Sequence, residues 1–118
     1  HNNKLLYIDK LIIPLPYDFD MSGFINPSYA VVNETLNIAN IRQRKYRGFK
    51  RDENVFYKVR DVFVEKKGDM LALIKSFEAD FDNASEYEEA FEYIESFFDI
   101  IEDDKKFKDN VVLAARTK

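Results

Sequence analysis

Residues 85–101 read SEYEEAFEYIESFFDII, and within them Tyr87, Ala90, Phe91, Ile94, Phe97, Phe98 and Ile101 recur at steps of three and four. That spacing lines the apolar side chains along one side of a 3.6-residue helix. Glu86, Glu88, Glu89, Glu92 and Glu95 fall on the other side, which reads as solvated surface. Ser85, with Glu88 three residues later, reads as a capping box that would start the helix. A face so apolar has to be buried against other elements, and the chain on either side shows the same period.

Upstream, Asp52 can cap a helix whose face is Val55, Phe56, Val59, Val62 and Phe63, with Gly68 as its stop. Asp69 can then cap a second helix carrying Met70, Leu73, Ile74, Phe77 and Phe81. Downstream, Asp103 or Asp104 opens a last helix with Phe107, Val111, Ala114 and Ala115 facing inward. The aromatic stripes of the last two helices could form a groove for a partner or a lipid. Core is the stronger reading, because helices of a small domain must bury such a face.

The N-terminal part is different. Leu5–Ile8 and Leu11–Ile13 flank Asp9-Lys10, and two apolar runs around a polar pair predict a β-hairpin. Pro14 and Pro16 are expected to end its second strand, since neither can donate to a ladder. From Tyr17 to Arg51 no clean period appears, apart from a short helical piece expected around Ile38 to Tyr46. Long aperiodic stretches in compact domains are often functional. The expected fold is therefore mainly α. It comprises an N-terminal β-hairpin over 1–16, an irregular ligand loop over 17–51 and a bundle of about four helices over 52–118, all in one domain.

Composition narrows the function. The chain has 118 residues, 46% of them hydrophobic, with 11 Phe and 7 Tyr, enough for one core. It has no Cys, which excludes disulfide frameworks and thiolate metal sites and is compatible with a reducing compartment such as the cytoplasm. The only histidine is His1, so serine- or cysteine-based hydrolysis has little support. No run approaches a membrane span of roughly 18 apolar residues, and no basic-then-apolar signal opens the chain. Residues 1–67 hold 12 Lys/Arg against 8 Asp/Glu, whereas residues 68–118 hold 6 against 14. That split is not the broadly basic footprint of a nucleic-acid binder.

Two local patterns carry chemistry. RQRKYRGFKR, residues 42–51, packs Arg42, Arg44, Lys45, Arg47, Lys50 and Arg51 around Tyr46 and Phe49. Guanidinium groups can clamp phosphate bidentately and lysine adds a point charge. The same run can instead pair with the acidic helices or simply stay hydrated. PLPYDFDMSG, residues 14–23, places Asp18 and Asp20 directly after the hairpin. Asp18, Asp20, Ser22 and Gly23 match the start of a calcium loop, but Tyr29 stands where the bidentate Glu belongs, and the prolines block an entering helix. A turn role for Asp18 remains open. So does a divalent-metal site, in which hard carboxylate oxygens at a strand end hold Mg²⁺ against a nucleotide and an upstream Asn amide, Asn2 or Asn3, completes the set.

The order asparagine, apolar strand, turn, apolar strand, Asp-Phe-x resembles the catalytic-loop-to-metal-loop stretch of the protein-kinase-like superfamily, with Asp-Phe-Asp in place of Asp-Phe-Gly. PYDFDMSGFINPSYAV, followed by IRQRKYRGF and a helical tail, resembles the C-terminal end of an uncharacterised bacterial family, frequent in Bacteroidetes, with the kinase-like fold of CotH. The resemblance implies a kinase-like C-lobe fragment of a longer phosphotransferase. Asp18 and Asn2 (or Asn3) would be metal ligands, with Asp20 as a further one. Mg²⁺ and ATP would be the cofactors of the parent, and nucleotide or phosphate the partner of Arg42, Arg44, Lys45 and Arg47. The catalytic Asp that precedes the Asn, and the nucleotide-binding lobe, are not in this sequence, so the isolated chain is expected to be inactive. The alternative is a non-catalytic protein-interaction module that uses the basic run or an aromatic surface.

Overall fold

A computed structural model describes residues 3–19 and 21–117, with only the backbone of Asn3. The fold is mainly α, with an N-terminal two-stranded antiparallel hairpin followed by a helical bundle. The chain divides into two compact units, and the division falls inside the basic run, between Gln43 and Arg44.

In the first unit, β1 (Asn3–Ile8) pairs with β2 (Leu11–Pro16) in the register Asn3↔Pro16 to Ile8↔Leu11. Asp9 turns the chain with φ 54°, a left-handed conformation that Asp tolerates better than most residues. The expectation that the prolines end the second strand is corrected, since both lie within β2. The register explains why. Ile8 and Leu11 flank a two-residue turn and exchange both backbone hydrogen bonds, and the ladder alternates from there. Leu5↔Pro14 and Asn3↔Pro16 are then pairs whose N–H and C=O positions point away from the partner strand. Proline loses nothing there.

The rest of this unit is built from side-chain turns. Asn33 Oδ1 accepts from Thr35 N at 2.9 Å and Thr35 Oγ1 at 2.6 Å, starting a single 3₁₀ turn over Glu34–Leu36. Asn37, at φ 49°, ends it. Asn40 Oδ1 accepts from the amides of Arg42 and Gln43, both at 3.0 Å. The helical piece expected around Ile38 to Tyr46 is therefore absent, because asparagine side chains take the amide donors a helix would need. No described residue of this unit is buried.

The second unit holds the core. Its helices are α1 (Glu53–Glu65), α2 (Lys67–Ser76), α3 (Ala84–Ile101) and the short α4 (Asp104–Phe107), which runs on into a π-type segment over Lys108–Val112. Phe56 of α1, Phe98 and Ile101 of α3, and Phe107 of α4 form the buried cluster, with Phe98 fully enclosed. Edge-on ring contacts extend it, Tyr57 to Phe107 at 5.3 Å and Phe63 to Phe97 at 5.4 Å between centroids. Lys67 Nζ to Glu102 at 2.8 Å and Arg60 to Asp104 at 2.5 Å join neighbouring helices at the surface.

Several helix boundaries differ from expectation. The break between α1 and α2 is at Lys66, whose backbone (φ −90°, ψ 2°) interrupts the helix, and Gly68 lies inside α2. Asp69 consequently sits in the first turn of α2 rather than capping it. Asp52 occupies the N-cap position of α1 without a side-chain cap bond. α3 is capped by Asn83, whose Oδ1 accepts from Glu86 N at 3.0 Å, so Ser85 is already helical and the expected capping box does not form. For α4 the cap is Asp103, which accepts from Lys106 N at 2.8 Å. On α1 only Phe56 is buried. Val55, Val59, Val62 and Phe63, expected to face inward with it, are exposed. Phe77 and Phe81 lie beyond the end of α2, and Phe81 packs on Tyr87 instead.

Candidate functional site

Asp18 follows β2 at φ 60°, and its side chain is exposed. A left-handed turn suits an Asp better than most residues, and it swings the chain out of the strand direction immediately after Tyr17. Across the hairpin, the backbone of Asn3 pairs with that of Pro16. The register thus brings the asparagine end of β1 level with the stretch that carries Asp18. Asp20 and Asn2, the other expected metal ligands, lie outside the described residues. Among the described residues no three His, Cys, Asp or Glu side chains converge into a cluster that could hold a metal ion.

Downstream of Asp18, the turn is pinned locally. Ser22 N donates to Phe19 O and Asn26 N to Ser22 O, both at 2.9 Å. Arg42, half-buried, donates from Nε to the carbonyl of Gly23 at 3.2 Å. The first member of the basic run is therefore fastened to the turn that follows the aspartates, inside the first unit.

The other expected phosphate contacts belong to the second unit. Arg44 lies flat on the Tyr93 ring, with Cζ 3.8 Å from the centroid, and donates to Ser96 Oγ at 2.9 Å and to the carbonyl of Tyr93. Burial lowers its pKa from the ordinary arginine value, opposed by the nearby Tyr93. An arginine stays cationic through such a shift. Its guanidinium docks onto α3 and acts there as a fastener. Lys45 and Arg47 are exposed.

Sequence reasoning did not single out two concavities of the second unit. One is an open groove of about 570 Å³ that includes Lys50, Arg51 and Arg116, with Arg116 stacked over Phe49 at 4.6 Å. Here the end of the basic run meets a distant arginine across a backbone pair, Phe49↔Arg116. The other is an apolar hollow of about 220 Å³ along the exposed stripe of α1, lined among others by Val55, Val59, Phe97 and Val111, with Arg51 and Arg60 also on its wall. The valine spacing on α1 was a visible signal for an apolar face. Nothing in it distinguished a covered face from an open one.

Among the described residues no helix is long and apolar enough to cross a membrane. Comparison of the chain with protein-family models, with curated proteins and with solved structures finds no match.

Proposed function

We propose that this chain is the metal-loop and helical portion of a kinase-like, metal- and nucleotide-dependent phosphotransferase, inactive without the nucleotide lobe and catalytic Asp of a longer parent. The observation that carries the reading is the pairing of Asn3 with Pro16, which aligns the asparagine end of β1 with the exposed, left-handed Asp18. Asp18 would hold Mg²⁺ through a hard carboxylate oxygen, with Asp20 and Asn2 as the further ligands implied by the resemblance. Bound Mg²⁺–ATP would supply the transferable phosphoryl group and neutralise its charge. From this chain, Arg42, fastened to Gly23, would bring a guanidinium to the same turn, and Lys45 and Arg47, exposed in the second unit, are further phosphate contacts implied by the resemblance alone. Arg44 would order the run by gripping α3. The test is phosphoryl transfer from ATP by the parent protein, with and without Asp18→Ala. Loss of transfer with retained folding is expected, and undiminished transfer would sink the assignment.

A second reading, a non-catalytic interaction module, is favoured by a different observation. The hairpin is apolar on both faces and exposed throughout, Tyr7 at 68% and Leu11 at 64%. An isolated two-stranded ribbon of that kind is marginal in water and is stabilised by being covered. If the parent transfers no phosphoryl group from ATP, or transfers it undiminished in Asp18→Ala, a non-catalytic role for this chain stands in place of the first reading.

A further inference from the structure

Arg51 lines two concavities of the helical unit at once. It stands on the wall of the apolar hollow along α1, and it also borders the groove that holds Lys50 and Arg116. The hollow draws Val55, Val59 and Phe63 from α1, Phe97 from α3 and Val111 from the π-type segment, with the buried Phe56 among them. Its two arginines are not alike. Arg60 is matched by Asp104 at 2.5 Å and Asp61 at 3.4 Å, and it packs on Tyr57 and Phe107. Among the described residues, Arg51, Lys50 and Arg116 make no ion pair, and Asp52 is the one carboxylate on their groove. The backbone bond from Lys50 N to Arg116 O, at 2.9 Å, keeps these cations together. In a chain of net charge −4, this is a local excess of positive charge at the edge of an apolar recess.

We propose that the hollow binds a free medium-chain fatty carboxylate, its alkyl chain among the valines and Phe97 and its carboxylate on Arg51. The chain removes from water the apolar surface that the hollow leaves wet. A neutral chain would partly desolvate the Arg51 guanidinium and give it no acceptor, whereas a carboxylate accepts its paired N–H donors. Lys50 and Arg116 strengthen the field that holds the anion there. At about 30 Å³ for a water-sized group, the 220 Å³ hollow accommodates on the order of seven or eight carbons, so octanoate is the matching length. A recess of that size takes one chain and is too small for the two acyl chains of a phospholipid. The inference concerns the helical unit alone and holds under either reading of the function.

The test titrates the 118-residue chain with carboxyl-labelled octanoate, below its critical micelle concentration, and follows the label by carbon-13 NMR. A single saturable site is expected. Octanol, which lacks the charge, should compete about tenfold more weakly or worse, and acetate, which lacks the chain, should not compete. Hexanoate should bind about tenfold more weakly than octanoate. Arg51→Gln should weaken octanoate by about tenfold and leave octanol unchanged. Val59→Glu, at a position already 53% exposed, should abolish binding by setting a carboxylate in the hollow, and circular dichroism checks that this variant folds. Lys58→Gln removes an exposed cation of α1 that borders neither concavity, and it should bind as the wild type does. The absence of a saturable site overturns the proposal. So does octanol competing as well as octanoate, indifference to Arg51→Gln, or equal weakening by Lys58→Gln. Association with phosphatidylglycerol vesicles without uptake of free octanoate would assign the site to a membrane surface instead. A dimer in sedimentation equilibrium that Val59→Glu splits would assign the hollow to a second copy, and either result overturns the proposal.

Discussion

Arg44 lies on Tyr93 with its guanidinium carbon 3.8 Å from the ring centroid, and it reaches past the ring to Ser96 Oγ and the Tyr93 carbonyl. One residue thereby joins the start of the helical unit to the middle of α3. The contact combines a cation–π stack with hydrogen bonds in one planar fork, a geometry lysine does not reproduce.

Arg44→Ala should destabilise the chain by about 2 kcal/mol, the sum of a partly desolvated stack and the net worth of its hydrogen bonds. Arg44→Lys should recover less than half of that. Urea denaturation followed at 222 nm measures both. Equal stability of Arg44→Lys and wild type would show that charge alone, and not the fork, holds α3.

Two glycines should respond in opposite directions. The Tyr46 side chain lies so close over Gly48 that a Cβ there would collide with the ring and its hydroxyl. Gly48→Ala should cost about 1–3 kcal/mol as Tyr46 is displaced from Phe56, on which it packs at 6.0 Å. Gly68 lies inside α2 with nothing near its Cβ position. Gly68→Ala should therefore stabilise by about 0.5–1 kcal/mol through helix propensity and a less free unfolded chain. Thermal melts of the two variants separate the effects by sign.

The start of α3 offers a sharper comparison. Asn83→Ala removes the oxygen that accepts from Glu86 N and should cost about 1 kcal/mol. Ser85→Ala, already in the helical turn, should be neutral or slightly stabilising. Amide exchange at Glu86 should accelerate in the first variant alone.

Tyr87 is the group to follow at high pH. Burial first, and the Glu78 carboxylate second, raise its pKa above the ordinary tyrosine value. Phe81 and Phe91 are its ring neighbours, at 5.6 and 5.8 Å. A raised folded-state pKa means that the unfolded chain releases its proton first. This contribution to stability is complete below the unfolded pKa and is lost as pH rises through the folded one. The difference in alkaline stability between wild type and Tyr87→Phe should grow across that interval, with the wild type losing more. Absorbance at 295 nm should show a late-titrating phenol in the wild type that is missing from the variant.

The sequence resolved elements better than it resolved their surroundings. α3 was legible because its apolar period runs through the whole helix without a conflicting residue. The hairpin was legible from two apolar runs and a polar pair. The expectation that the hairpin would bring Asn2 and Asn3 near Asp18 meets only the backbone pairing Asn3↔Pro16, since Asn2 lies outside the described residues. Boundaries failed where two good capping residues compete within a few positions. Asn83 and Ser85 are both adequate caps, and only the extended backbone at Asn83 decides between them. Between Ile38 and Tyr46, turn-forming asparagines outweighed a weak helical period. On α1 the period correctly forecast a helix, yet periodicity carries no information on what, if anything, covers a face. The role of Arg44 was hidden for a related reason. A run of cations looks alike along its length, and a contact to Tyr93, far along the chain, singled one of them out.

Within the helical unit, Lys50 N donates to Arg116 O and Arg116 N to Gly48 O, both at 2.9 Å. The segment that leads into the helices and the segment that leads out of them thus run side by side, in parallel, through the single bridge Phe49↔Arg116. Each segment supplies one donor and one acceptor to the bridge, so fraying of either releases the other, and the two open as one cooperative unit.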